Sequence, residues 1–183
     1  MTTTLSPAGA HRPYSRLSIS LHWLMLVLLA AVFACIELRE YYPRGSAMRD
    51  GLKAWHFMLG LSVFLLVWVR LIARWGTSWL PPEPGWTRWP AAAVHLILYA
   101  GMIGLPLLGW LVLSADGKPI PFFGLNLPAL IAPDPELAER LEDLHKTVGS
   151  AGYWLIGLHA AAALFHHFLL RDGTLRRMLP GRR

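Results

Sequence analysis

The 183-residue sequence is 55% hydrophobic, carries only 15% charged residues and has a mean hydropathy of +0.42, which excludes an ordinary water-soluble globule. Its net charge is +6, and its single cysteine, Cys35, excludes an internal disulfide. Cutting the chain at its charges leaves four uncharged runs, Leu17–Ile36, Ala54–Val69, Trp89–Ala115 and Thr147–Leu170. Each approaches the ~20 residues needed to cross a ~30 Å hydrocarbon core, the second once it is carried past Arg70 to Ala73. The expected fold is an all-α membrane bundle of four spanning helices in a single domain over residues 1–183, with spans at about 17–38, 52–73, 90–113 and 144–170. Such a layout leaves no room for a separate soluble catalytic domain.

The first run is not read as a cleaved signal peptide. It exceeds a signal h-region in length, and Phe33 is a poor residue two positions before Cys35. The second connection, TSWLPPEPGWTRWP, suits a short interfacial loop anchored by tryptophan rings. The third, Asp116–Asp143, holds five prolines and the apolar stretch PFFGLNLPALIA, so it is expected to lie across the membrane surface as a lid. Asp134-Pro135 reads as N-cap and N1, which starts the fourth helix well before the membrane.

Four spans put both termini on one side. That side carries ten Lys and Arg residues against two acids, and the other carries seven against nine, so the positive-inside rule places the termini in the cytoplasm. The basic residues flank the spans rather than tracking a groove. The charge is therefore a collar against membrane lipid, and no nucleic-acid partner is expected.

Eight histidines are many for so apolar a chain, and an ionisable group in hydrocarbon is costly enough to suggest function. His145 and His159 are fourteen residues apart on the fourth helix. At 100° per residue they share a face to within about 40°, and at ~1.5 Å per residue they stand about 21 Å apart. That separation suits two stacked cofactors, and neutral imidazole is a standard axial ligand for haem iron. With no Cys-x-x-Cys-His motif, any haem must be held non-covalently. By depth, His56 on the second span opposes His145, and His22 on the first opposes His159. His95 and His166 lie at depths close enough to His22 and His159 to replace either. Gly149 and Gly152 follow His145 at i+4 and i+7, and Gly60 follows His56 at i+4, leaving room beside the ligand face. Small residues at this interval also serve ordinary close helix packing.

The segments YSRLSISLHWL, ELREYYPR, HLILYAGMIGLPLLGW and GYWLIGLHAAAALFHHFLLRDGTLRRMLP make the sequence resemble the bacterial cytochrome b561 family of four-helix di-haem membrane cytochromes. The resemblance implies two haem b groups, ligated by His22 with His159 at the inner level and by His56 with His145 at the outer. It further implies oxidation of superoxide at the outer face, with electrons passed to ubiquinone. The regions around 50–55 and 114–135 match least, so the outer surface is where the family's activity transfers least directly.

A superoxide site needs cations beside the outer cofactor edge, because the substrate is a small anion that can be steered. Arg44, Lys53 and Lys146 are the candidates, and they could equally pair haem propionates or neighbouring acids. A quinone takes up protons, so it wants a lipid-accessible cleft near titratable or polar groups. Arg16, Ser18, Arg70, His95 and His167 are candidates by position at the inner side. Two other readings compete. One is a cytochrome b subunit that relays electrons from a peripheral redox protein, such as a dehydrogenase or hydrogenase, to quinone. The other is a histidine-lined transporter, which the absence of carboxylates within the four uncharged runs disfavours. No Walker A, Gly-x-Ser-x-Gly or His-Glu-x-x-His motif supports nucleotide or hydrolytic chemistry.

Overall fold

The computed structural model describes residues 15–74, 88–171 and 175–179. The Trp- and Pro-rich connection falls mostly outside these residues, as do His11 and Arg12. Four long helices follow one another up and down: α1 Arg16–Leu38, α2 Ala47–Ala73, α3 Arg88–Ala115 and α4 Pro135–Phe165. All four are long and apolar enough to cross a membrane. We call the end bearing the α1–α2 and α3–α4 connections the loop end, and the other the terminal end.

The helix starts follow from local chemistry. Ser15 Oγ accepts the Ser18 N–H at 3.1 Å, Ser46 Oγ accepts the Arg49 N–H at 3.3 Å, and Asp134 accepts the Leu137 N–H at 3.1 Å. Each supplies a partner for one of the donors orphaned in a first turn. Pro135 at N1 has no N–H to orphan, so α4 begins where the Asp-Pro pair requires, a full nine residues before the expected span. Pro106 lies inside α3 and deletes one backbone hydrogen bond there. At its far end, α4 loosens into a π turn over His166–Leu170, closed by Arg171 at φ 53°.

The packing is that of a bundle made for lipid. Met25, Val63, Val67 and Tyr99 are buried where α1, α2 and α3 meet. Large apolar side chains elsewhere face outward, among them Val27, Ile72, Leu96, Trp154 and Phe168. In water such a surface would aggregate, whereas hydrocarbon is its natural solvent. Arg70, whose charge interrupts the second apolar run, is instead turned inward and only 8% exposed. That inward turn lets α2 continue to Ala73 without exposing a guanidinium to lipid.

The α3–α4 connection contains a feature not expected from an all-helical reading. Strands β1 Ile120–Phe122 and β2 Leu125–Leu127 form an antiparallel hairpin. Phe123 and Gly124 both adopt positive φ at its turn, as a tight two-residue connection demands. Ile120 packs with Leu61 and Leu113, and the Phe123 N–H reaches Met58 Sδ at 3.4 Å. Trp110 Nε1 donates to the Pro128 carbonyl at 3.0 Å, and Ser114 Oγ accepts the Leu130 N–H at 3.1 Å. The expected lid is thus a hydrogen-bonded cap fastened to α2 and α3.

Candidate functional site

A largely apolar cavity of about 410 Å³ opens between the four helices near the loop end, within the ~300–1,000 Å³ typical of cofactor pockets. His56 from α2 and His145 from α4 line it from opposite sides, with ring centroids 6.1 Å apart. Toward the terminal end, His22 from α1 and His159 from α4 face each other at 6.3 Å. An iron bonded to two imidazoles at ~2 Å each requires centroids roughly 6 Å apart. Both separations meet that requirement.

The ring nitrogens test the fit further. His56 Nδ1 donates to the Val32 carbonyl at 3.0 Å, which fixes the tautomer and leaves Nε2 as the lone-pair nitrogen. His145 Nδ1 is buried without a hydrogen bond of ordinary geometry, although the Leu105 carbonyl is near enough to act on it. Gly60 and Gly149 line the cavity, and a Cβ at either would project into open space. Methyl groups there would take up room that a planar macrocycle needs. A Cβ at Gly152 would meet Phe33 at 3.6 Å, so that glycine serves the α1–α4 contact as much as the cavity. The residues present fit haem.

Around the terminal-end pair the picture is more crowded. His95 on α3 also faces His159, at 5.3 Å between centroids, and its Nδ1 donates to the Ala91 carbonyl at 2.7 Å. Arg70 Nη2 donates to His22 Nδ1 at 2.9 Å and its guanidinium lies 5.8 Å from the Tyr99 ring centroid. Arg74 Nη1 reaches the Tyr99 hydroxyl at 3.3 Å. Of the positions expected to serve quinone, Arg70 and His95 therefore join the terminal-end histidines. Ser18 is buried near the start of α1, Arg16 is exposed, and His167 lines a separate pocket with Phe168, Arg171 and Arg176.

At the cavity mouth the charges are mixed. Arg39, Lys53 and Lys146 line it together with Glu37, Glu40, Asp116 and Glu142. Lys146 is held by Glu142 at 3.0 Å and Asp143 at 3.7 Å, and Arg39 by Glu40 at 3.0 Å. Lys53 lies over Phe57, 5.7 Å from its centroid, with no ion pair among the described residues. Arg44 is exposed in the α1–α2 turn and does not line the cavity. The expected cluster of Arg44, Lys53 and Lys146 is thus reduced to one unpaired cation, one paired cation and one remote one.

Two residues of the site carried no functional signal in the sequence, and a third was assigned a different role. A Cβ at Gly109 on α3 would stand 3.3 Å from His145 Cε1, so the absent side chain there lets the His145 ring take its place. Tyr153 donates to Glu37 at 2.6 Å, tying α4 to α1 beside the mouth. Arg70 was noticed only as a quinone candidate, not as a partner of His22.

A family model for prokaryotic cytochrome b561 matches residues 13–181. The chain belongs to that family. This cytochrome is 36% identical over 173 residues to cytochrome b561 homolog 1 of Escherichia coli, covering 93% of this chain and 98% of that one. It is 36% identical over 176 residues to a probable superoxide oxidase, CybB, of Yersinia pestis, covering 94% and 99%. Cytochrome b561 homolog 2 of Escherichia coli is 31% identical over 177 residues, covering 91% and 90%. As a cytochrome b561, the protein is a membrane oxidoreductase of electron transport that binds haem b, and its four apolar helices make it a multi-pass inner-membrane protein.

Proposed function

We propose that this cytochrome is a di-haem superoxide:ubiquinone oxidoreductase, with His56 and His145 holding the outer haem b and His22 and His159 the inner. The observation that carries the reading is the pair of imidazole couples at 6.1 and 6.3 Å, both spanned by the same helix α4. The superoxide assignment draws on the relative named as a probable superoxide oxidase. Orientation follows from the basic collar, with the termini cytoplasmic and the loop end periplasmic.

Haem b, when bound, supplies reversible one-electron transfer. In the overall balance, two superoxide anions each lose one electron and leave as dioxygen. One ubiquinone gains both electrons and two protons and leaves as ubiquinol. The protein's own residues set the direction. Lys53 attracts the small anion to the cavity mouth, where its charge is not spent on an acid. Lys146 presents a cation already shared with Glu142 and Asp143, and so contributes less. Arg44 acts from outside the mouth as a long-range, salt-sensitive charge. The apolar wall would keep bulk water from a haem held by His56 and His145, and Gly60 and Gly149 would leave room for it. At the terminal end, Arg70 and His95 offer polar contacts to a quinone headgroup, with Arg16, Ser18 and His167 nearer the chain's entry to and exit from the bilayer.

The experiment is a reduced-minus-oxidised visible spectrum of detergent-purified protein with haem quantified per chain. A steady superoxide source is then the sole reductant, followed by a ubiquinone analogue. Two haems per chain that superoxide reduces and the quinone reoxidises are expected. Two haems indifferent to superoxide would refute the donor, and no haem would refute the site.

A further inference from the structure

The two ends of the molecule treat their cations differently. At the loop end most described basic side chains find an acid: Arg39 and Arg49 pair with Glu40, Lys118 with Asp116, Arg140 with Glu136 and Lys146 with Glu142. At the terminal end Arg171 and Arg176 have neither an ion pair nor a side-chain hydrogen bond among the described residues. The sequence supplies the reason. From His166 onward it holds five arginines against a single acid, Asp172, so its own segment cannot neutralise it.

The two arginines converge on one place. With His167 and Phe168 they line a cavity of about 470 Å³ beside the π turn, separate from the one that His56 and His145 line. Arg171 closes the π turn at φ 53°, a left-handed conformation that takes the chain out of the helix direction. Arg176, five positions on, returns to the same cavity from a 3-10 turn over Arg176–Met178. That turn is fastened to α1 by the 2.7 Å bond from Trp23 Nε1 to the Met178 carbonyl. Both charges are thus presented by held backbone.

Position and lining together select the ligand. Leu170 ends the apolar span, and Phe168, Leu169 and Leu170 are all exposed, as side chains facing hydrocarbon are. Guanidinium groups bind phosphate oxygens through paired N–H donors, and His167 can add a further donor. A free phosphate would use the arginines and leave Phe168 without a role, whereas a neutral quinone would use Phe168 and leave both charges uncompensated. A phospholipid of net negative charge satisfies both, with its phosphate between the arginines and its acyl chains along Phe168 and the neighbouring leucines.

We infer that this cavity is a binding site for the phosphodiester of an anionic phospholipid, held by Arg171, Arg176 and His167 in the leaflet at the terminal end. Such a site depends on neither the haem ligands nor the electron donor proposed above.

The test uses the full-length, haem-loaded protein, stripped of lipid in a neutral detergent. Phosphatidylglycerol and phosphatidylcholine of equal chain length are titrated separately, and bound lipid is counted by native mass spectrometry. A single phosphatidylglycerol per chain is expected to bind about tenfold more tightly than phosphatidylcholine, and Arg171→Gln/Arg176→Gln to abolish that preference. Arg16→Gln/Arg88→Gln takes two charges from the same end but none from the cavity, and is expected to keep the preference. Equal binding of the two lipids by the wild-type protein overturns the site, and that result needs no variant to fold. A preference that survives Arg171→Gln/Arg176→Gln, or that falls equally in both double variants, overturns it too, the attraction then belonging to the basic surface at large. Inorganic phosphate that displaces the lipid at equal concentration would make this a free-anion site. A ubiquinone analogue that displaces it would make it a quinone site, and either displacement overturns the lipid assignment.

Discussion

Replacing Gly109 by alanine probes the outer site without touching a ligand. The new Cβ would lie 3.3 Å from His145 Cε1 and 3.6 Å from its Nδ1, where ordinary carbon contacts begin nearer ~3.5 Å. The imidazole must retreat by a few tenths of an ångström, away from α3. Forced adjustments of that size in packed interiors cost on the order of 1 kcal/mol. If the strain falls on the ligating position, haem affinity at the outer site drops by roughly five- to tenfold. The helix itself gains from the change, since alanine is favoured over glycine by ~1 kcal/mol in a helix interior. Fold stability and outer haem affinity are therefore expected to move in opposite directions. Gly104→Ala is the control, because nothing lies within 4 Å of a Cβ there. The assay is haem titration into apo-protein followed by absorbance, with thermal unfolding of the apo-protein measured in parallel. Wild-type affinity at both haem sites in Gly109→Ala would refute the argument that this glycine makes room for the His145 ring.

Further expectations concern the ligands, the mouth and the seam. His145→Ala should lose the outer haem and keep the inner, giving one haem per chain by pyridine haemochrome; retention of two would remove His145 from the ligand set. Lys53→Gln should slow superoxide-driven haem reduction several-fold at low salt and flatten its salt dependence, whereas Arg44→Gln should do so less because it stands off the cavity. Equal effects would shift the site of anion entry toward the α1–α2 turn. Tyr153→Phe removes the 2.6 Å bond to Glu37 and should cost roughly 1 kcal/mol, seen as a lowered Tm in detergent. An unchanged Tm would mean that the stacking of Phe33 on Tyr153, at 4.3 Å between centroids, suffices to hold that seam.

The helices were legible because membrane spans are written in hydropathy, a local property. The phase of His145 and His159 was legible because 100° per residue holds along any helix. Arg70 shows where local reading weakens: its charge shortens the second apolar run on paper, and only the fold reveals that the side chain turns inward to His22. The hairpin was hidden for a different reason, since its strands are three residues each and Pro121 sits inside one. Its signal lay in the Phe123-Gly124 turn, which a proline-rich apolar stretch obscured. Gly109 lies within the segment HLILYAGMIGLPLLGW, yet its role depends on how closely α3 approaches α4, a distance no spacing rule supplies. His95 was recognised as a possible substitute at the right depth; its 5.3 Å approach to His159 came from the packing of α3 against α4.

Both proposed couples draw one member from α4, the last of the four helices to leave the ribosome. His22 waits for a partner 137 positions further along the chain, and His56 for one 89 positions along. Neither iron position can be completed while the nascent chain is still short. Cofactor capture then becomes a check that α4 has been made: a chain truncated before α4 is expected to stay colourless, and the first red molecules are those whose four helices are in the bilayer. Trp23, whose indole donates to the Met178 carbonyl at 2.7 Å, adds a final link between the earliest helix and the latest residues.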